Sequence, residues 1–372
     1  MNKENQNQII GSQSEQIPGL STDCPIKQNE KIDLESNSEN QDDSLIMELL
    51  NKEVMKGSEL ATFSGMSVPY LWEGLIPQYG ISFLTGASDC NKSTFLRQFA
   101  LSIANGDEDF LDIPLNIRYQ KVILVITEDL AVNVAALMNK QLQIFPDKAI
   151  LDNITFVFPA SNIIKRLDEL LSKEKVDCVI VDTWTDTFTG DLNASNSVRA
   201  SLHPYNELVK KYGCSILALH HEKKGSEDKN PSKDNMLGSM GIQAYARVVL
   251  QMKRDNGNSQ KRLLTAVKGN YIQDCFKDQS LVLEVDEQTL ILTNTTDISI
   301  PGAQKSTRIY SSEEKKIITE KIQSYMEEGI SQNQMVKRFE TEDPEKRSPS
   351  KGTINAIVKQ LKNTNSVSQS VS

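Results

Sequence analysis

The residues best suited to chemistry in this chain lie in one short segment, Gly86-Ala87-Ser88-Asp89-Cys90-Asn91-Lys92-Ser93-Thr94. It follows the apolar run Ile81-Ser82-Phe83-Leu84 and precedes the helical pattern Phe95-Leu96-Arg97-Gln98-Phe99-Ala100-Leu101. A strand, a turn opened by glycine and a helix N-terminus, in that order, present backbone N–H groups to phosphate oxygens. In such a cradle Lys92 reaches the β- and γ-phosphates of ATP, and the Ser93 hydroxyl ligates Mg²⁺. The spacing G-x-x-x-x-G-K-[S/T] holds except at one place, where Asn91 stands for the second glycine. Asparagine tolerates left-handed dihedrals, so the turn can still close, but its side chain could crowd the phosphates. The segment therefore reads either as a working ATP site or as one that binds nucleotide with little turnover.

Three further strand ends carry polar groups. The run Val176-Asp177-Cys178-Val179-Ile180-Val181-Asp182-Thr183 ends in a carboxylate, which places Asp182 beside the metal of the cradle. In Val125-Ile126-Thr127-Glu128-Asp129 a carboxylate again closes an apolar run. Two roles are open there: a general base that orients water, or a pair capping the next helix. We assign Glu128 the base and Asp129 the cap. In Leu217-Ala218-Leu219-His220-His221-Glu222-Lys223-Lys224 either His220 or His221 could sense the γ-phosphate, while a hydrogen-bonded strand-end histidine is the plainer reading. The polar stretch that follows, residues 225 to about 237, is either disordered or ordered by a ligand.

The elements that must position these groups alternate. Strands are expected over Ile81–Thr85, Lys121–Thr127, Ile154–Phe158, Cys178–Asp182, Ser215–His220, Arg247–Met252, Arg262–Val267 and Leu281–Val285. Helices are expected over Ser93–Asn105, Leu130–Gln143, Ile163–Lys173 and Ser197–Tyr212. Alternation of this kind predicts a mainly parallel sheet flanked by helices, and the short links between the last three strands predict an antiparallel edge. The fold class is α/β.

Length and charge frame the rest. The 372 residues carry 41 Lys/Arg against 50 Asp/Glu, a net charge of −9. Residues 1–44 are polar and acidic, with no periodicity, and are expected to be disordered. Residues 45–302 are expected to form the main domain, opened by a short helix between Leu45 and Leu60, and 303–310 a linker. Residues 311–362 read as a small helical module, with helices over Ser311–Glu328, Ser331–Phe339 and Lys351–Leu361, followed by a tail at 363–372. Its last two helices resemble a helix-turn-helix or winged-helix pair, with a protein-interaction hairpin as the other reading. Five cysteines without a C-x-x-C pair argue against zinc. The apolar runs are too short to span a bilayer and the N-terminus lacks a signal core, which predicts a cytoplasmic protein without membrane contact.

Taken together, the cradle at 86–94, Glu128, the Asp182 strand and the His220-His221 strand end resemble the RecA-like P-loop ATPases, in particular RepA-type hexameric replicative helicases, akin to DnaB. The segments Gly238-Ser239-Met240-Gly241-Ile242-Gln243-Ala244-Tyr245-Ala246-Arg247 and Val267-Lys268-Gly269-Asn270-Tyr271 look similar as well. The resemblance implies a RecA-like core and a homo-oligomeric ring with ATP and Mg²⁺ between subunits. It also implies a neighbour's basic residue completing the site, with Arg247 or Lys268 as candidates. Single-stranded DNA would meet the central loops at Glu222–Leu237, and duplex DNA the C-terminal module. The implied setting is replication or mobilisation of plasmid or mobile-element DNA, with a nucleotide-gated DNA-binding regulator as the alternative if Asn91 removes turnover.

Overall fold

The computed structural model describes residues 43–63, 67–145, 147–158, 162–223, 225–226, 229–301 and 312–342, together with Pro349, Ile354, Ile357, Val358 and Leu361. The expected tail up to residue 42, the linker at 303–310, the tail beyond 362 and most of Lys351–Leu361 lie outside the described residues. The chain divides into two compact units, Met1–Pro301 and Gly302–Ser372.

The larger unit is built on one sheet of nine strands. In chain order these are β1 (Gly80–Gly86), β2 (Val122–Ile126), β3 (Ile154–Val157), β4 (Cys178–Asp182), β5 (Ser215–His221), β6 (Val248–Arg254), β7 (Lys261–Gly269), β8 (Ser280–Val285) and β9 (Leu292–Ser299). Their spatial order is β9-β8-β7-β6-β1-β5-β4-β2-β3. Pairing is parallel from β6 through β3 and antiparallel from β6 out to β9. Continuous runs such as Val122-Ile123-Leu124-Val125-Ile126, in which all five side chains are buried, suit the parallel part, where helices cover both faces. The antiparallel edge has one strand more than expected. Leu292–Ser299 is largely polar, because an edge strand buries only part of one face.

Alternate strand residues feed two cores. Leu84, Leu124, Ile126, Ile180, Leu219 and Leu250 face one layer, which contains helix α1 (Lys92–Asn105) and part of α2 (Ala131–Gln141). Ile81, Phe83, Val125, Val181 and Val249 face the other, which contains α3 (Ile163–Leu171), α4 (Ser195–Tyr212) and α5 (Ser239–Tyr245). The period of two along each strand is what sorts them. Nearly all of α1 is buried, and each of Phe95, Leu96, Phe99 and Leu101 contributes roughly 1.5–3 kcal/mol by leaving water. Trp72 closes that layer from the N-terminal side, with ring centroids 5.9 Å from Phe95, 5.9 Å from Phe99 and 5.3 Å from Phe110. The single short helix expected between Leu45 and Leu60 is two, Asp43–Asn51 and Gly57–Leu60.

In the smaller unit, α6 (Ser312–Glu327) is followed by Gly329 at φ +71°. That left-handed conformation costs glycine least, and it turns the chain out of the helix. Ser331 opens α7 (Gln332–Glu342), its N–H and Oγ donating to Gln334 Oε1 at 3.0 and 2.7 Å, half of a capping box. Ile322, Tyr325, Met335, Phe339, Ile354 and Val358 form the core. No helix among the described residues is long and apolar enough to cross a membrane.

Candidate active site

The carboxyl edge of the parallel strands collects the groups singled out above. β1 ends at Gly86, where an added Cβ would lie 2.2 Å from Met252 O, so a side chain cannot be accommodated beside β6. The loop then turns through Ala87, Ser88 and Asp89, with Asp89 and Asn91 at φ 60° and 66°. The left-handed conformation is the one a glycine at position 91 would supply, and asparagine adopts it here as N-cap of α1. Lys92, only 7% exposed, curls back so that Nζ donates to Ala87 O at 2.6 Å, and the Cys90 thiol donates to the same carbonyl at 2.9 Å. Thr94 is buried one residue beyond Ser93 in the first turn of α1.

Asp182, at the end of β4, is 7% exposed and accepts a hydrogen bond from Ser93. Burial pushes its carboxyl up to about 6, with the Glu128 charge adding to the rise, while Ser93, Arg97 and Lys92 act against it. A hydroxyl and a carboxylate side by side are hard oxygen donors of the kind Mg²⁺ takes. A divalent cation there would also compensate a carboxylate that its surroundings otherwise drive toward protonation. The residues present therefore fit Mg²⁺.

Glu128 follows β2, and its Oε1 lies 3.0 Å from His221 Nε2 at the end of β5. A carboxylate only accepts, so Nε2 carries the hydrogen. Asp129 does not cap the next helix: α2 takes Leu130 as its N-cap, with no side-chain cap bond. Its charge instead supports the buried guanidinium of Arg97. His220 is turned away from this edge and fully buried, its Nδ1 2.8 Å from Thr185 Oγ1 and its Nε2 2.7 Å from Leu237 O. Leu237 O must accept, which puts the hydrogen on Nε2 and leaves Nδ1 to accept from Thr185. Burial pulls the ring down to about 4. Of the two histidines, His221 is the one beside Glu128.

Arg247 and Lys268 lie at the far end of the sheet. Arg247 N donates to Ile81 O at 2.7 Å near the start of β1, and Lys268 pairs with Val249 and donates through Nζ to Ala246 O. At about 3.3 Å per strand residue, they are on the order of 15–20 Å from their own phosphate loop. Neither can reach it within one chain. The stretch after β5 is held by the chain's own bonds among its described residues: Glu222 bridges to Met236, its carboxylate accepts from Ser226 Oγ and Gln251 Nε2, and Gln251 Oε1 accepts from Ser232 N.

Two arginines escaped the reading of the sequence. Arg97 is 4% exposed, its Nε donating to Gln141 Oε1 at 3.3 Å, and it adds positive charge near Asp182. A charged residue inside the apolar pattern of α1 was the available signal. Arg262, at the start of β7, donates to Asn91 Oδ1 from Nε at 2.9 Å and from Nη2 at 2.6 Å. Nothing local in the sequence marks a pairing across 171 positions.

Residues 58–227 match the family model described as "AAA domain". No curated protein matches the chain. Among solved structures, one described as an ATPase domain is similar at 11% identity and a TM-score of 0.47, covering 68% of this chain and 98% of that one. The matched segment contains the phosphate loop and the parallel strands β1 to β5, so this part of the chain is similar to an AAA domain.

Proposed function

We propose that this chain is an ATP-hydrolysing motor that acts on DNA, of the RepA/DnaB-like type, serving replication or mobilisation of plasmid or mobile-element DNA. The observation that carries the proposal is the convergence of Lys92, Ser93, Asp182 and Glu128 on one sheet edge, with Ser93 bonded to Asp182. In this reading the loop from Gly86 to Thr94 wraps the triphosphate, and Lys92 moves from Ala87 O to the β- and γ-phosphates. Ser93 and Asp182 hold Mg²⁺, which neutralises charge developing on the phosphate oxygens. Glu128 orients water and takes its proton as the new O–P bond forms and the bond to the β-phosphate oxygen breaks. His221 positions Glu128. Arg247 or Lys268 serves a neighbouring copy in a ring, which their distance from the chain's own loop supports.

DNA contact belongs to two places in this reading: single strands at Glu222–Leu237, and duplex at the helical unit around α6 and α7. The test is ATP hydrolysis with and without single-stranded DNA at fixed salt, beside Lys92→Ala. Turnover that DNA stimulates and Lys92→Ala abolishes supports the motor; turnover that survives Lys92→Ala overturns it. The replaced glycine favours a second reading, a nucleotide-gated DNA-binding regulator. It fails if the parent chain turns over ATP at ordinary rates, which run about 1–10³ s⁻¹.

A further inference from the structure

The Asn91 side chain has a fixed partner. β6 pairs with β1 as far as Gln251 and Thr85, and the β6–β7 hairpin continues to the Arg254–Arg262 pair, which brings Arg262 beside the turn of the phosphate loop. There its Nε and Nη2 both donate to Asn91 Oδ1, at 2.9 and 2.6 Å. Its third nitrogen, Nη1, donates to the carbonyls of Ser259 and Lys261 at 2.7 and 2.9 Å, which fixes the guanidinium from its own side. Arg262 is 6% exposed, so this arrangement is largely shielded from competing water. Two charge-assisted donors on one oxygen define where the amide points.

We infer that Arg262 is a positioning residue for the phosphate loop: by holding the Asn91 amide against β7 it keeps that side chain out of the phosphate cradle, so that asparagine can occupy the left-handed position of a glycine without blocking nucleotide. The inference rests on the nucleotide-binding reading above and turns its one discordant residue into a compensated one. With Arg262 removed, the amide is free to rotate about Cα–Cβ into the cradle, and a buried polar group without its partner seeks another. With a glycine at 91 there is nothing to hold, and the arginine has no task at the loop. The effect of losing Arg262 must therefore depend on what stands at position 91, which a general loss of packing would not produce.

The experiment titrates ATP and ADP in magnesium buffer into five purified chains: the parent, Arg262→Ala, Arg262→Lys, Asn91→Gly and the Asn91→Gly/Arg262→Ala double variant. Thermal unfolding without nucleotide identifies the folded ones. Arg262→Ala is expected to weaken binding by about tenfold, the scale of one lost charge-assisted contact. Arg262→Lys, which keeps the charge but not the fork, falls between and serves alone if the alanine variant does not fold. Asn91→Gly binds no tighter than the parent, and the double variant matches Asn91→Gly. Equal losses from Arg262→Ala in both backgrounds, or no loss in either, overturn the inference. Tighter binding by Asn91→Gly alone also overturns it, since the amide would then intrude despite the arginine. A folded parent that binds neither nucleotide overturns the nucleotide-binding reading itself.

Discussion

His221 Nε2 lies 3.0 Å from Glu128 Oε1, joining the ends of β5 and β2 across the whole width of β4. The carboxylate is half exposed, at 50%, and so open to water, yet its orientation is set by a residue one position before the loop at 222–237. If Glu128 is the base, Glu128→Gln lowers kcat by about 10²–10⁴ while ATP affinity holds. His221→Ala lowers kcat less. The double variant is no slower than Glu128→Gln, because the histidine acts through the carboxylate. Steady-state ATP hydrolysis of the three variants checks the order, and additive losses would assign His221 a separate role.

Asp182 gives the site a pH dependence whose sign follows from its environment. Burial raises the carboxyl from its ordinary 3.8 to about 6, so in the absence of metal it takes up a proton as pH falls through that value. A protonated carboxyl is a poor Mg²⁺ ligand. Magnesium-dependent ATP affinity is therefore expected to be flat above about pH 6 and to fall about tenfold per unit below it, with Asp182→Asn removing the dependence. The linked stability runs the other way. A raised acid costs folding free energy above its folded value, and that cost vanishes below its unfolded one. Asp182→Asn should then stabilise the nucleotide-free chain at pH 7.5, by up to about 3 kcal/mol, and not at pH 3.5. Calorimetric titration and urea unfolding at two pH values measure both.

How much of this was legible in the sequence depended on distance along the chain. The strands whose side chains are buried on both faces announced themselves as Val/Ile runs, and the groups at their ends could be read because they follow directly in sequence. The polar strand Leu292–Ser299 had no such run, since Thr293, Thr296 and Asp297 are exposed in it. Arg262 had no local signature at all: its significance comes from a hairpin that carries it to Asn91. Asp177 was read only as part of an apolar strand leading to Asp182. In the structure it is nearly as buried as the core, at 1% exposure, and anchors a different segment.

That anchor is testable. Asp177 Oδ1 accepts from Arg118 N at 2.8 Å, and Oδ2 accepts from Tyr119 N at 3.0 Å, tying the chain that enters β2 to the start of β4. Burial raises the carboxyl while these backbone N–H groups and the Arg118 charge lower it. Asp177→Ala strands the part-buried N–H groups of Arg118, Tyr119 and Lys121, so a loss of about 2–4 kcal/mol is expected in urea unfolding. Because Asp177 is at the opposite end of β4 from Asp182, nucleotide affinity under native conditions should be unchanged. A weakened affinity at full folding would mean that the two ends of the strand are coupled.

The helical unit depends on few residues. Phe339 is 5% exposed, with its ring centroid 5.3 Å from Tyr325 and Lys321 Nζ 5.5 Å from its ring centre. Phe339→Ala removes about 3–5 kcal/mol, as much as a core of this size supplies in total. The unit is expected to unfold, while the larger unit, with two cores of its own, retains its melting transition and its ATP affinity. Calorimetry should show the smaller transition lost and the larger unmoved. If duplex DNA binds through this unit, affinity for duplex falls in the same variant while hydrolysis without DNA is unaltered. Duplex affinity that survives the loss of the smaller transition would move the DNA contact to the larger unit, where the loop at 222–237 is the remaining candidate.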